Sequence, residues 1–334
     1  MTYTFNIFKG SSDGSIHAAQ TTRPALQADQ VLIEITASGL CGTDEHQRHN
    51  DIALGHEGVG RVKELGPNVR ELKVGDRVGW GYIHGSCGHC EQCLTGAETF
   101  CPDRQMYGQT TLDQGSFGDH AIWSESFLFR VPDGMSDEEA APMMCGGATV
   151  FNALHYHNVQ PTHRVGIVGV GGLGHLAIGF ASKMGCDVVV FSGTDSKREE
   201  AMKLGASEFY AVKGVEELDI GKKIDFFLVT ASAQVDWELY LPILAPGAVV
   251  LPLSVAEGNF VMPYMPIIQK GLRIQGSLVA SRYVHQRMLH FADRHHIAPV
   301  LQRYPMTEEG ITQAMKDLNE GKVRYRAVLI PQKA

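Results

Sequence analysis

The sequence predicts an α/β protein with two parts: an irregular β-rich region and a doubly wound parallel sheet covered by helices. The chain has 334 residues, of which 44% are apolar, and this length is enough for two separate cores. From Gln30 to Arg130, short β-like runs are separated by glycine, proline and asparagine. From about Ala148 to Arg282, apolar strand-like runs alternate with amphipathic helical runs, as in a parallel sheet.

The β-rich region is predicted from its alternating apolar runs and frequent turn residues, which together indicate a barrel-like arrangement. Its predicted strands are VLIEIT, GVGRVKEL, DRVGWGYI and SFLFRV.

The second region is predicted from strands that are apolar on both faces, which is typical of buried parallel sheets. Its predicted strands and helices are, in order, RVGIVGV, LGHLAIGFASKMG, DVVVFS, DSKREEAMKLGA, DFFLVTA, VVLPLS and RIQGSLVA. The last fifty residues contain two helical stretches and a closing strand, RYRAVLI, which most simply return to the first region.

Composition and charge limit the possible partners. Lysine and arginine number 29 against 37 aspartates and glutamates, so the formal net charge is −8. This balance provides no general electrostatic surface for nucleic acid or for an anionic membrane. The first residues lack the pattern of a secretory signal, and no apolar stretch reaches the roughly 18 residues of a bilayer span. We therefore expect a cytoplasmic protein without nucleic-acid or membrane partners.

Four of the seven cysteines lie close together and predict a metal site. Cys87, Cys90, Cys93 and Cys101 follow the spacing C-x2-C-x2-C-x7-C. Four thiolates at such short separations can surround one ion tetrahedrally, and zinc suits a closed structural site of this kind. An iron–sulfur cluster also uses four cysteines, although commonly at other spacings, and is the alternative.

A glycine-rich motif predicts a dinucleotide site. Gly169, Gly171 and Gly174 form G-x-G-x-x-G directly after a predicted strand and before a predicted helix. The first glycine permits a tight turn, the second lets the backbone approach a pyrophosphate, and the third lets the helix pack on the strand. A glycine-rich β–α turn without a ligand is the alternative.

The end of the next predicted strand favours NADP(H) over NAD(H). An NAD site usually presents an acidic residue there, but this sequence has Ser192, followed by Thr194, Lys197 and Arg198. Hydroxyls and cations suit a 2′-phosphate. Two alternatives remain: the cations could simply begin a solvated helix, or Asp195 could bind the ribose hydroxyls.

A more dispersed set of residues predicts a second metal site. Cys41, His56 and Cys145 together supply two thiolates and one imidazole, a known ligand group for a catalytic zinc with one open position. Cys145 alone could equally be a buried core residue.

Several motifs occur together and in a familiar order. They are GHE-x2-G (55–60), VGDRVGWG (74–81), the four-cysteine segment, MCGGATVFNAL (144–154), GVGGLGHLAIGFASKMG (169–185) and RYRAVLI (324–330). With these motifs the chain closely resembles the zinc-dependent medium-chain alcohol dehydrogenases, and within them the cinnamyl-alcohol-dehydrogenase branch. The resemblance implies a GroES-like catalytic domain over residues 1–145 and 285–334, with a zinc lobe at 85–102. It also implies a Rossmann cofactor domain over 146–284, with the active site in the cleft.

The resemblance also implies roles for individual residues. Cys41, His56 and Cys145 match the ligands of a catalytic zinc. Glu57 matches an acidic neighbour of the metal, and Asp44 a carboxylate behind a ligand.

Thr43 matches the hydroxyl that bonds the substrate oxygen, and His46 the far end of a proton relay. The residues that match cofactor contacts are Gly169, Gly171, Gly172, Leu173, Gly174, Ser192, Thr194, Lys197, Thr149, Thr230 and Ser277.

The implied function is hydride transfer between NADP(H) and a primary alcohol or aldehyde, with two zinc ions per chain and aldehyde reduction as the favoured direction. The alternatives are an NAD-dependent polyol or sugar dehydrogenase, a conjugate reductase of an unsaturated carbonyl, and a metal-free relative without activity. The family also implies a homodimer, joined through the apolar segment GSLVA (276–280). Only fourteen residues (42–55) separate Cys41 from His56, fewer than the family usually has, which predicts a more open substrate channel.

Overall fold

The computed structural model describes residues 2–256 and 258–332 and contains two compact units. The first unit comprises Met1–Ala148 together with Val279–Ala334, and the second comprises Thr149–Leu278.

The first unit is built around a seven-stranded sheet. The strands of the whole unit, including those of its smaller sheets, are β1 (Thr2–Lys9), β2 (His17–Pro24), β3 (Gln30–Leu40), β4 (Glu57–Leu65), β5 (Arg77–Trp80), β6 (Ile83–Gly85), β7 (Gln105–Met106), β8 (His120–Ser124), β9 (Phe129–Arg130), and, from the end of the chain, β16 (Leu301–Pro305) and β17 (Arg326–Ile330). The large sheet has the order β16-β17-β3-β4-β5-β9, and β8 also pairs with β3. Two smaller sheets pair β1 with β2 and β6 with β7.

The long strand β3 organises this unit because it pairs with three neighbours. It runs antiparallel to β4, β8 and β17, which brings Gly39 opposite both Glu57 and Val328. Its inward side chains, including Val31, Ile33 and Ile35, lie in a core shared with Trp80 and Phe117. Burial of these apolar side chains, at about 25 cal/mol per Å², holds the sheet together.

Short helices connect the strands of the first unit. They are α1 (Gly42–Gln47), α2 (Glu91–Leu94), α3 (Asp137–Pro142), α9 (Arg282–His295) and α10 (Glu308–Asn319), with 3-10 turns at Glu98–Phe100 and Glu125–Phe127 and a π-helical segment at Met143–Gly147.

The second unit is a six-stranded parallel sheet with helices. Its strands are β10 (Arg164–Val168), β11 (Asp187–Ser192), β12 (Glu208–Ala211), β13 (Ile224–Val229), β14 (Leu244–Pro252) and β15 (Arg273–Ile274). Its helices are α4 (Ala148–Tyr156), α5 (Gly174–Lys183), α6 (Arg198–Leu204), α7 (Trp237–Tyr240) and α8 (Tyr264–Lys270), with 3-10 turns at Asp195–Lys197 and Leu241–Ile243.

The strand order β12-β11-β10-β13-β14-β15 is the doubly wound Rossmann order, in which the chain reverses direction beside the first strand. The parallel sheet predicted from the alternating strands and helices is therefore confirmed. Every residue of β10 is buried, which explains why the strand is apolar without alternation after Arg164, whose guanidinium pairs with Asp187 and Glu208.

Several features differ from the sequence-based expectation or went unpredicted. The run SFLFRV forms a strand only at Phe129–Arg130, and its first residues belong to the 3-10 turn Glu125–Phe127. The run RIQGSLVA forms a strand only at Arg273–Ile274, because only these residues pair with β14. The hairpin of β1 and β2 and the π-helical segment at Met143–Gly147 were not predicted.

Among the helices of the described residues, none is both long enough and apolar enough to cross a membrane.

Candidate metal centre and cofactor loop

Four side chains from separate parts of the first unit converge on one point. The sulfurs of Cys41 and Cys145, a ring nitrogen of His56 and a carboxylate oxygen of Glu57 all lie within 4.8 Å of one another. The Cys41 Sγ lies 3.3 Å from the His56 Nε2. Cys41, His56 and Glu57 are buried, so the donors face each other in a site shielded from water.

Cys41 is held by the start of helix α1, where it is the N-terminal capping residue. Its Sγ accepts a hydrogen bond from the Thr43 backbone N–H at 3.3 Å. The Asp44 carboxylate accepts the Cys41 backbone N–H at 3.0 Å, which completes a capping box. The helix start therefore fixes the direction of the sulfur.

Asp44 also orients the imidazole of His56. Its second carboxylate oxygen lies 2.9 Å from the His56 Nδ1, and the side chains of both residues are almost fully buried. A carboxylate at Nδ1 holds the proton on that nitrogen and leaves Nε2 as the donor atom. This geometry places Asp44 behind the imidazole, on the side away from Nε2.

Glu57 is the first residue of β4 and forms a buried ion pair with Arg326 of β17. The Arg326 guanidinium donates to both carboxylate oxygens of Glu57. Burial raises the pKa of Glu57 to about 7, although the charge of Arg326 opposes this rise.

The thiols of Cys41 and Cys145 shift each other's pKa in opposite directions. A hydrogen bond with Cys145, and to a smaller extent the charge of His56, lower the pKa of the Cys41 thiol well below its usual value. The same hydrogen bond and burial raise the pKa of Cys145. Burial opposes the charged form of His56, but the charges of Asp44 and Cys41 raise its pKa overall.

This donor set fits a zinc ion. Two sulfurs and one imidazole nitrogen converge, and several negative groups are crowded in a buried site where a cation would balance them. Cys145 comes from the π-helical segment, a local irregularity that often marks functional sites.

The turn before His56 requires glycine. Gly55 has a φ of +94°, in the left-handed region, and a Cβ there would overlap with Ser116 and Phe117. The motif GHE therefore combines a turn that only glycine makes easily with the two polar residues that follow it.

The four-cysteine segment forms a second donor cluster. The sulfurs of Cys87, Cys90, Cys93 and Cys101 all lie within 4.8 Å of one another. Backbone N–H groups of His89 and Cys90 lower the pKa of Cys87 to about 6, which favours a thiolate. Four soft sulfur donors around one point suit a closed zinc site.

In the second unit, the glycine motif lies in the turn between β10 and α5. Gly169 has a φ of +93°, and a Cβ on Gly174 would overlap with the carbonyl of Gly169. The strand and helix can therefore pack this closely only with glycine at 174. Gly171, Gly172 and Leu173 are half-buried at the start of the helix.

The residues predicted to bind a 2′-phosphate lie just beyond the end of β11. Ser192 is the last residue of that strand, and Thr194 precedes the following 3-10 turn. The Lys197 Nζ donates to the Val170 carbonyl at 2.7 Å, which places the ammonium beside the glycine turn. Asp195, the alternative ribose ligand, forms an exposed ion pair with Arg198 at 2.7 Å.

The other predicted cofactor residues occupy separate positions in the second unit. Thr149 is buried near the start of α4. Thr230 follows β13, and its Oγ1 donates to the Val168 carbonyl at 2.8 Å. The Ser277 Oγ accepts a hydrogen bond from the Asn152 side chain at 3.0 Å.

The predicted relay residues both lie on α1. Thr43 is half-buried next to Cys41, and His46 is exposed in the last turn of the same helix.

Sequence reasoning missed two residues of the metal centre. Arg326 lies in the motif RYRAVLI, but its pairing with Glu57 depends on how the sheet is assembled. Tyr107 stacks on the imidazole of His56, with ring centroids 4.7 Å apart, and no motif indicated it.

Two protein-family models match the chain. The model described as the alcohol dehydrogenase GroES-like domain matches residues 27–133, and the zinc-binding dehydrogenase model matches residues 172–294. An alcohol dehydrogenase of Geobacillus stearothermophilus is 33% identical over 327 residues, covering 94% of this chain and 96% of the relative. The chain belongs to the zinc-dependent medium-chain alcohol dehydrogenases.

Two solved structures place it in the cinnamyl-alcohol-dehydrogenase-like branch of that family. A cinnamyl alcohol dehydrogenase of Sorghum bicolor superposes with a TM-score of 0.87 at 31% identity, covering 98% of each chain. The cinnamyl alcohol dehydrogenase of Helicobacter pylori, solved with NADP(H), has a TM-score of 0.89 at 27% identity, covering 99% of each chain. The predicted fold, a GroES-like domain and a Rossmann domain, is thereby confirmed.

Relatives in this family include NADP-dependent enzymes. An NADP-dependent alcohol dehydrogenase of Mycolicibacterium smegmatis is 32% identical, with 92% of each chain covered. An aldehyde reductase of Synechocystis is 31% identical, with 95% of this chain and 96% of the relative covered. The chain is accordingly an oxidoreductase of a zinc-binding dehydrogenase family whose members include alcohol dehydrogenases and an aldehyde reductase.

Proposed function

We propose that this dehydrogenase reduces aldehydes to primary alcohols with NADPH, using one catalytic and one structural zinc per chain. The overall reaction is aldehyde + NADPH + H⁺ giving primary alcohol + NADP⁺. The observation that carries the proposal is the convergence of Cys41, His56 and Cys145 within 4.8 Å in a buried site.

Cys41, His56 and Cys145 would hold the catalytic zinc, and the four cysteines of 87–101 the structural one. When bound, the catalytic zinc supplies a Lewis acid for the substrate oxygen, and NADP(H) supplies or accepts the hydride. Asp44 keeps His56 in the tautomer that presents Nε2, and Arg326 keeps the Glu57 carboxylate in place beside the donors.

Helix α1 would handle the proton. The Thr43 hydroxyl donates a proton to the substrate oxygen during reduction and takes one during oxidation. His46 lies three residues further along the same helix and is exposed, so its imidazole can exchange that proton with water.

The second unit would bind NADP(H) through the glycine turn and the end of β11. The backbone N–H groups at the start of α5 would face the pyrophosphate, with Gly169, Gly171, Gly172, Leu173 and Gly174 forming the turn. Ser192, Thr194 and Lys197 would hold the 2′-phosphate, and the 2.7 Å bond from Lys197 to the Val170 carbonyl supports this placement of a cation. Thr149, Thr230 and Ser277 would contact the rest of the cofactor.

The relatives support aldehydes as the substrate class, since one is an aldehyde reductase and another is a cinnamyl alcohol dehydrogenase. The short segment 42–55 favours a channel open enough for bulky aldehydes.

We further propose that the protein is a homodimer joined through the second unit. The segment predicted to join the copies, 276–280, includes the buried side chains of Val279 and Ala280. A second candidate surface lies between residues 255 and 274, whose exposed apolar side chains are Val255, Phe260, Val261, Tyr264, Met265, Ile268 and Ile274. A solution mass close to one chain would refute the dimer.

A substrate screen tests the proposed activity. NADPH and NADH consumption would be compared across aliphatic, aromatic and α,β-unsaturated aldehydes, with product analysis for the unsaturated ones. The proposal predicts faster turnover with NADPH and primary alcohols as products. Preference for NAD⁺ with polyols, or reduction of the carbon–carbon double bond instead of the carbonyl, would contradict it.

A further inference from the structure

A buried tyrosine supports the imidazole of His56 from the side. The Tyr107 ring stacks on the imidazole with centroids 4.7 Å apart and an interplanar angle of 27°. Tyr107 is only 6% exposed, and its backbone N–H donates to the Tyr82 carbonyl at 2.9 Å. The backbone of Tyr107 is therefore held by a hydrogen bond, and its ring lies against the face of the His56 imidazole.

The hydroxyl of the same residue binds the turn that carries the ligand. The Tyr107 Oη accepts the Gly55 backbone N–H at 3.1 Å, and Gly55 immediately precedes His56. The Gly55 N–H is buried, so the Tyr107 hydroxyl satisfies a backbone donor that would otherwise lack this acceptor.

The contacts on His56 are complementary. The hydrogen bond from Nδ1 to Asp44 fixes one edge of the imidazole, but the ring can still rock about the axis of that bond. A ring stacked on its face opposes this rocking, while Tyr82 meets the imidazole edge-on at 5.7 Å. The direction of Nε2 toward the metal position thus depends on both the hydrogen bond and the stack.

We propose that Tyr107 is a positioning residue for His56: its ring fixes the plane of the imidazole and its hydroxyl anchors the Gly55 turn, so that Nε2 is held ready for zinc. This inference rests on the proposed function, in which His56 is a zinc ligand. Partners that orient a metal-ligating histidine typically change metal affinity by about 10- to 100-fold when they are removed.

Zinc release tests the inference without depending on turnover. The zinc-loaded wild type, Tyr107→Phe and Tyr107→Leu would be mixed with excess coloured chelator, and the zinc released from each site followed over time. The phase that belongs to the catalytic site is the one absent in Cys41→Ser. We expect Tyr107→Phe to speed that phase by about 10-fold and Tyr107→Leu, which also removes the stack, to speed it further.

A matched variant distinguishes a loss of His56 positioning from a general loss of stability in the first unit. Tyr304→Phe removes the hydroxyl of another buried tyrosine in the same unit, which donates to Asp317 at 2.8 Å. It should leave both release phases unchanged. Replacing the catalytic zinc with cobalt should give a ligand-field spectrum that shifts in the Tyr107 variants and not in Tyr304→Phe.

Two results would overturn the inference: wild-type release rates in both Tyr107 variants, or an equal acceleration in Tyr304→Phe. A wild type that holds zinc only in the four-cysteine segment would overturn the proposed function as well. Two zinc ions per chain with unchanged release in the Tyr107 variants would overturn the inference alone.

Discussion

At the scale of residues, the proposed metal centre combines three donor side chains from different parts of the sequence with neighbours that orient them. The types of residue at 41, 56 and 145 could be predicted, because sulfur and imidazole donors in familiar motifs indicate zinc. The residues that hold these side chains and their neighbour Glu57 in place could not be predicted. The pairing of Arg326 with Glu57 depends on β17 lying beside β3, and Tyr107 reaches His56 only through the folded chain.

The proposed preference for NADP(H) also depends on single residues. Ser192→Asp places a carboxylate where the 2′-phosphate is proposed to lie, and the two negative charges would repel each other. We expect the Kd for NADPH to rise at least about 10-fold, which corresponds to roughly 1.4 kcal/mol, with a smaller change for NADH. Fluorescence titration with both cofactors measures this.

The control for that variant is Ser207→Asp, which adds the same charge in the second unit just before β12 begins. It should leave both Kd values near those of the wild type. An unchanged Kd for NADPH in Ser192→Asp would contradict the assigned position of the 2′-phosphate.

At the scale of elements, apolar runs predicted the central strands well and the edges poorly. The strands β10, β11 and β13 are mostly buried in the sheet, so their central residues form apolar runs that are easily recognised. The edge strand β15 has only two residues, and both are exposed. Its extent is set by pairing with β14, which the local sequence does not encode.

The four-cysteine segment is an element whose shape should depend on its metal. Within residues 87–101 the structure has only one short helix and one 3-10 turn, so a bound zinc would contribute much of its folding free energy. We expect Cys93→Ser to lose one zinc per chain and to lower the melting temperature by on the order of 10 °C. Differential scanning calorimetry and elemental analysis measure the two changes.

Cys186→Ser serves as the matched control, because Cys186 is a buried thiol in the second unit outside both donor clusters. It should keep both zinc ions. A Cys93→Ser protein with the wild-type melting temperature would refute a structural role for this segment.

At the scale of the whole molecule, the order of motifs along the chain was enough to predict two units and their fold classes. The closing strand β17 returns to the first unit and pairs with β3, as the motif RYRAVLI suggested. The boundaries that the resemblance implied, after 145 and after 284, lie several residues from the changes between the compact units, after Ala148 and after Leu278. At the first change the π-helical segment Met143–Gly147 runs directly into α4, so no break in the helix marks the position.

The central claim is that one zinc, held by Cys41, His56 and Cys145, is required for turnover. The most direct test is elemental analysis of wild type and Cys41→Ser, combined with NADPH-dependent aldehyde reduction by the same samples. The account predicts two zinc ions per wild-type chain, one in Cys41→Ser, and a loss of more than about 100-fold in kcat/KM for the variant. A fully active wild type with a single zinc in the four-cysteine segment, or a Cys41→Ser protein that keeps its activity, would contradict it.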